Sequence, residues 1–173
     1  MKDLLITLTG PDRTGVVGRM AGLLSECEGN WLDSRLMRLE GSFSGILRVS
    51  LPPHMVEAFS LKVASLMEEL GYQHMVQFTS SSGAVAMGRR VHLSLSGQDH
   101  PGIIEGVFRT LGEAGVNVEE LSSGLQAAPW SGTPVFEASA SLKVPEDIRL
   151  ETLQVTLEGL ANDLLVELSL SES

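Results

Sequence analysis

A short segment containing glycine and aspartate occurs twice in the chain, and its residue types could bind a small charged ligand. The two copies are Gly10-Pro11-Asp12-Arg13-Thr14-Gly15 and Gly97-Gln98-Asp99-His100-Pro101-Gly102. Glycine allows a ligand to approach the backbone closely, and a carboxylate can accept hydrogen bonds from an ammonium group. Each copy should join a strand to a helix, so free backbone N–H groups should lie beside the carboxylate. Such a pair of groups suits a zwitterionic α-amino acid.

Aspartate at the start of a helix has a second explanation, which the sequence leaves open. Asp is a favoured helix N-cap, and replacing such a cap by alanine costs about 1 kcal/mol. Pro101 near the start of a helix is also ordinary, because its fixed φ suits the first helical position. Both loops could therefore be helix caps that bind no ligand.

An asparagine follows each aspartate at the same distance. Asp12 and Asn30 are 18 residues apart, as are Asp99 and Asn117. Both asparagines should come just after the helix that follows the loop, where Asn tolerates a left-handed backbone. They could end the helix or contact a ligand, and both interpretations remain open.

The loops belong to a longer internal repeat, and a repeat of this kind indicates that the same structural unit occurs twice. The copies align at an offset of 87 residues and later 93, because the second carries about six extra residues near 127–134. After each loop, apolar residues beginning with Val16-Val17 and with Ile103 recur at helical spacing, and Gly29 and Gly115 should end these helices. Strand patterns cover 4–9, 32–39, 43–51 and 72–79, then 91–95, 118–126, 135–144 and 164–170.

The order of elements in each copy is therefore strand, helix, strand, strand, helix, strand. This order predicts an α+β protein of two ferredoxin-like βαββαβ domains, each a four-stranded antiparallel sheet with two helices on one face. We expect domains over residues 1–80 and 90–173, joined by a linker over 81–89 that begins with serines, glycine and alanine.

Composition excludes several functional classes. The net charge is −10, which argues against direct binding to a phosphate backbone. The sequence contains no run of 18 apolar residues that could span a membrane. No apolar signal core follows Met1, so we expect a cytoplasmic protein. The single cysteine, Cys27, permits no intrachain disulfide and should be buried.

Neither a catalytic nor a cofactor motif is present in the sequence. His54, His74 and His92 have no metal-ligand spacing, and no activated nucleophile, P-loop or dinucleotide-binding glycine triplet is found. We therefore expect no metal, no cofactor and no enzymatic activity. His100, inside the loop, could stabilise the loop or contact the ligand. Trp130 could cover the fold or contact a partner.

The repeated segments resemble the ACT domain family, small regulatory modules that often bind amino acids. The resemblance lies in Asp12–Val17 and Asp99–Ile104 and in the turns at 29–32 and 116–119. It implies that ligands lie at a seam between two domains. The implied ligand-binding residues are Gly10, Asp12, Arg13, Thr14, Gly15, Asn30, Gly97, Asp99, His100, Pro101, Gly102 and Asn117.

The resemblance also implies a function: a regulatory homo-oligomer that binds a small amino acid and modulates a transcription factor or enzyme. Glycine and serine are the first candidate ligands, and transcriptional control of glycine or other amino-acid metabolism is the expected setting. Thr14 stands where many members have proline, so the two sites could differ in affinity. The alternative is an interaction module that needs no ligand, dimerises and docks through its sheets.

Overall fold

The structure is a computed structural model that describes residues 1–79, 87–127 and 132–172. Its contacts divide the chain into two compact units, Met1–Gly83 and Ala84–Ser173. Most of the predicted linker, Trp130 and much of the 127–134 segment lie outside the described residues, although Arg89 already begins a strand. The domain limits expected from the sequence stay a prediction.

The first unit has the predicted order of elements. They are β1 (Lys2–Pro11), α1 (Val16–Glu26), β2 (Asn30–Leu39), β3 (Ser42–Leu51), α2 (Val56–Leu70) and β4 (Gln73–Phe78). The strands form one sheet in the order β2-β3-β1-β4, and every neighbouring pair is antiparallel. The predicted ferredoxin-like fold is confirmed here.

The second unit repeats this arrangement. Its elements are β5 (Arg89–Gln98), α3 (Ile103–Glu113), β6 (Asn117–Ala127), β7 (Pro134–Val144), α4 (Leu150–Asp163) and β8 (Val166–Glu172). The sheet order is β6-β7-β5-β8, again antiparallel throughout. Within the described ranges, no helix is long and apolar enough to cross a membrane.

Each unit has its own hydrophobic core between the helices and one face of the sheet. Alternate residues of the central strand point into it, as Leu4, Ile6 and Leu8 do in β1, because side chains alternate between the two faces of a strand. Cys27 is fully buried in the first core, as expected. Burial of this apolar surface is the main stabilising contribution to each unit.

The structure corrects two details of the first helix. Val17 was expected on its apolar stripe, but 44% of its surface is exposed, since the buried stripe is narrower and runs through Val16, Met20 and Leu24. The helix also ends at Glu26, and Glu28 takes the left-handed conformation with φ 55°.

Candidate functional site

The loop between β1 and α1 is held against the β2–β3 turn. The backbone N–H of Asp12 donates a 2.8 Å hydrogen bond to the carbonyl of Gly41, in that turn. The Asp12 carboxylate also pairs with Nε of Arg38 at 2.6 Å. Because both side chains reach solvent, the pair adds little stability, but it places the Asp12 carboxylate next to the guanidinium of a β2 residue.

The interpretation of Asp12 and Asp99 as helix caps is wrong. The N-cap residues are Gly15 and Gly102, which have left-handed backbones with φ 91° and 97° and receive no side-chain cap. A left-handed residue with φ above 90° just before the helix strongly favours glycine, and it separates each aspartate from the first turn. The aspartates thus remain available for another role.

The first turns of both helices consequently offer backbone donors. The first intrahelical hydrogen bonds run from the N–H of Arg19 to Gly15 and from the N–H of Gly106 to Gly102. The N–H groups of residues 16–18 and 103–105 therefore have no acceptor within their own helices. Together with the helix dipole, these groups favour an anionic group such as a carboxylate.

Tyr72 contacts the first loop, which the sequence reasoning missed. Its hydroxyl donates a 2.7 Å hydrogen bond to the carbonyl of Pro11, and its ring lies so close to Gly10 that a Cβ there would be 2.5 Å from the ring. Burial raises the pKa of the Tyr72 phenol, and the negative charge of Asp12 raises it further. Gly10 is therefore needed for packing, whether or not a ligand binds.

The second loop is held by His100 instead. Its Nε2 donates to the carbonyl of Leu164 at 2.6 Å and its Nδ1 to the carbonyl of Pro101 at 3.0 Å. Both carbonyls can only accept, so both ring nitrogens carry protons in this geometry. These two hydrogen bonds raise the pKa of His100, that to Leu164 more strongly. Of the two roles considered for His100, the geometry favours stabilising the loop.

The two loops differ in charge. In the first unit, Arg38 of β2 pairs with Phe43 of β3, which in turn pairs with Gly10 of β1. In the second unit, Leu125 of β6 pairs with Phe136, which pairs with Gly97, so Leu125 takes the position of Arg38. Among the described residues, no cation pairs with Asp99. Gly18 in the first turn of α1 corresponds to Glu105 in α3. The second loop is therefore more acidic, apart from the charge on His100.

The asparagines do not adopt the left-handed conformation that one interpretation required. Asn30 and Asn117 are instead the first residues of β2 and β6. Asn30 pairs with Ser50, whereas Asp12 lies beyond the other end of β2, nine residues or about 30 Å away. Asn117 pairs with Lys143 at the corresponding end of its own sheet. Within one unit the structure therefore separates each aspartate from its asparagine.

The remaining predicted residues surround the exposed loops. Arg13, Thr14 and Pro101 are exposed, and Gly97 approaches Val166 as closely as Gly10 approaches Tyr72. Across residues 1–79, 87–127 and 132–172, no three His, Cys, Asp or Glu side chains are grouped to hold a metal ion. The loops expose backbone N–H donors and a carboxylate, which are groups that can form hydrogen bonds with a small charged molecule.

Comparison with known proteins agrees with this fold. Residues 2–78 match the family model of the ACT domain. A search of curated proteins found no match. The first unit therefore matches the ACT domain family, and the whole chain has a tandem ACT-like fold.

Two solved structures resemble the chain over almost its full length. An unknown protein from Galdieria sulphuraria is 25% identical, with 99% of this chain and 98% of that chain covered and a TM-score of 0.84. A "putative glycine cleavage system transcriptional repressor" is 22% identical, with 99% and 97% covered and a TM-score of 0.72. The Thr9–Gly15 segment resembles such repressors in sequence, and the likeness in fold is confirmed.

Proposed function

We propose that the protein is a non-enzymatic regulator that binds a small amino acid at its β1–α1 and β5–α3 loops. One observation carries this proposal: in both units a glycine-capped helix N-terminus lies beside an aspartate that does not cap it. The backbone N–H groups suit the ligand carboxylate, and Asp12 or Asp99 suits its ammonium group. The loops are open to solvent, so a ligand can reach them.

The ion pair at Asp12 is compatible with an incoming ammonium. An ionised carboxylate has two oxygens and about four acceptor positions, whereas Arg38 contacts one of them through Nε. Arg38 and the exposed Arg13 also add positive charge to this loop region, which favours a ligand that carries a carboxylate. Glycine and serine are our first candidates, because a small side chain needs no further pocket.

No single unit can bring its aspartate and its asparagine to the same small ligand. Asp12 and Asn30 are at opposite ends of one sheet, about 30 Å apart, which is longer than an amino acid. We propose that a second copy of the chain supplies the other half of each site. Ligand binding would then stabilise the association of the two copies, which is the differential affinity that regulation requires.

The regulated partner is, in our proposal, a transcription factor or an enzyme of glycine or other amino-acid metabolism. The net charge of −10 disfavours direct contact with DNA, so an effect on transcription would pass through a protein. The structural neighbour described as a glycine cleavage system repressor supports this setting.

Calorimetric titration of the full chain with glycine and L-serine tests the proposal. We expect saturable binding that Asp12→Ala and Asp99→Ala each reduce, because each removes the acceptor for the ammonium. Asp147→Ala, at an exposed turn outside both loops, is the matched control and should bind like the parent. No heat at millimolar ligand, or equal effects of all three substitutions, would refute the proposal.

A second candidate function is docking of a protein without any ligand. It is favoured by β6, an edge strand whose eleven residues are all exposed, since an unpaired edge is a template for another strand. Co-purification of a partner whose affinity is unchanged by added amino acids, and by Asp12→Ala, would support this function over amino-acid sensing.

A further inference from the structure

His100 joins the second loop to the turn between α4 and β8. One ring nitrogen, Nε2, binds the carbonyl of Leu164, the residue after the end of α4, at 2.6 Å. The other, Nδ1, binds the carbonyl of Pro101 in the loop at 3.0 Å. Because carbonyl oxygens only accept hydrogen bonds, this geometry needs a proton on both nitrogens. A neutral ring would turn a nitrogen lone pair towards one of the two oxygens, so the loop and the turn could not both stay in place.

The turn that His100 holds has an unfavourable backbone conformation. Leu165 has φ 55°, a left-handed conformation that residues with a side chain rarely adopt. Its side chain is 81% exposed, so packing does not hold it there. The peptide group between Leu164 and Leu165 is instead held at both ends, since its carbonyl accepts from His100 and its N–H donates to the carbonyl of Asn162 at 3.2 Å. Such conformations persist only where neighbouring groups fix them, so loss of the His100 hydrogen bond would let the turn rearrange.

The first unit differs at both of these positions. By the register of the two sheets, Gly71 corresponds to Leu165, and glycine adopts its φ of 72° without strain. Arg13 stands at the loop position of His100, and an arginine side chain stays protonated throughout the range in which histidine titrates. A change of pH near neutrality therefore alters neither the charge of Arg13 nor the backbone preference of this turn.

The charged side chains closest along the chain to the loop and the turn favour a protonated ring. They are Asp99 in the loop, Glu105 in the first turn of α3, Glu137 in β7, Asp163 at the end of α4 and Glu167 in β8. Arg109 pairs with Glu105 at 3.2 Å. The hydrogen bond to Leu164 raises the pKa of His100 most, and the one to Pro101 raises it further. The protonated form should therefore dominate below about pH 6.5 and be lost as the pH rises through the raised pKa.

We propose that protonated His100 links the β5–α3 loop to the α4–β8 turn, and that loss of its proton releases the loop and weakens amino-acid binding at Asp99. The second part rests on the proposed function. Asp99 directly precedes His100, so release of the loop leaves its carboxylate less ordered, and a ligand must order the loop as it binds. The apparent affinity then falls with the fraction of molecules in which the loop is in place. The first loop, with Arg13 at this position, should keep its affinity, so the pH sets the ratio of the two affinities.

Nuclear magnetic resonance of the full chain tests the link without any ligand. In a titration from about pH 5 to about pH 8.5, the range in which histidine titrates, the backbone amides of the β5–α3 loop and of the α4–β8 turn should shift with one shared midpoint. His100→Gln should abolish this transition, because glutamine does not titrate. His92→Gln, at an exposed position of β5, is the matched control and should leave it unchanged. Loop and turn amides with different midpoints, or an equal transition in His100→Gln, would overturn the link.

Calorimetry with glycine, which remains a zwitterion from about pH 6 to about pH 8.5, tests the effect on binding. In Asp12→Ala, where the second loop is the remaining site, the dissociation constant should rise roughly tenfold over this range, the change expected when one hydrogen bond of a charged group is lost. In Asp99→Ala, where the first loop remains, it should change little. An unchanged dissociation constant in Asp12→Ala would overturn the pH control of binding. Binding by neither variant would refute the proposed function and with it this control, whereas the ligand-free titration would still decide whether the link exists.

Discussion

Tyr72 donates a hydrogen bond from its hydroxyl to the carbonyl of Pro11, 61 residues earlier in the chain, at 2.7 Å. The bond connects the residue before β4 to the first residues of the candidate loop. The loop is therefore positioned by the C-terminal part of its own unit as well as by the turn at Gly41. A substitution that makes Tyr72 more mobile should therefore also make the loop that carries Asp12 more mobile.

Tyr72→Phe should destabilise the first unit by about 1 kcal/mol, the usual net contribution of one neutral hydrogen bond. The phenylalanine keeps the ring that packs over Gly10, so the loss is confined to the hydroxyl. Urea unfolding followed by tryptophan fluorescence measures it, with the m-value as a check that the unfolded state has not changed. An unchanged unfolding midpoint would show that solvent replaces the hydrogen bond at no cost.

Ionisation of Tyr72 can be followed directly, because it is the chain's only tyrosine. Burial, followed by the charge of Asp12, raises the pKa of its phenol above the ordinary 10.0. Absorbance titration should therefore give a midpoint above 10, and Asp12→Asn should lower that midpoint without returning it fully to 10. A midpoint that Asp12→Asn leaves in place would mean that the carboxylate lies further from the ring than in this structure.

The sequence was sufficient to predict the order of elements, because apolar residues with helical and strand spacing alternate clearly in both copies. The backbone conformations of individual residues were harder to predict. Asp12 was a reasonable N-cap by type, but Gly15 takes that position, and the left-handed residue after α1 is Glu28. Tyr72 could not have been linked to Pro11 from local patterns, because only the tertiary fold brings residues 61 positions apart together.

The stability supplied by His100 should depend on pH. Hydrogen bonds to Leu164 and Pro101 raise its pKa above the ordinary 6.5, so the folded state favours the protonated ring. The contribution should be complete below about pH 6.5 and disappear as the pH rises through the folded pKa. The destabilisation by His100→Gln, measured by urea unfolding, should be larger at pH 6 than at pH 9.

His92→Gln is the control for this experiment, since His92 is exposed on a strand. Its effect on the unfolding midpoint should be small at both pH values. If the effect of His100→Gln grew with pH instead, the ring would be bound as the neutral form, and the two hydrogen bonds could not coexist.

Alanine substitutions at two glycines of the first unit should change the free energy of unfolding in opposite directions. Gly15 has φ 91°, so Gly15→Ala should destabilise by about 1–2 kcal/mol even though its surroundings are open. Gly22 lies in the interior of α1, where an added methyl group would have no atom within 4 Å apart from its chain neighbours and the adjacent helix backbone, so Gly22→Ala should stabilise by about 0.5–1 kcal/mol. Thermal unfolding of both variants beside the parent measures the contrast. Equal shifts would contradict the left-handed conformation at Gly15.

The two proposed sites should differ in their affinity for a ligand. Glu105 in the first turn of α3 competes with a ligand carboxylate for the helix N-terminus, although Arg109 pairs with it at 3.2 Å. Gly18 leaves the equivalent position of α1 uncharged. If both loops bind glycine, the first should therefore bind it more tightly, by the roughly two- to fivefold that one charge at a helix end contributes.

Removing the charge of Glu105 should reduce the difference in affinity between the two loops. In an Asp12→Ala background, where the second loop is the remaining site, Glu105→Gln should tighten glycine binding by about two- to fivefold. The reverse change, Gly18→Glu in an Asp99→Ala background, should weaken the first loop to a similar extent. Both effects should shrink in high salt, because exposed charges are screened. Calorimetry that finds tighter binding with Gly18→Glu would place the ligand carboxylate away from the helix N-termini.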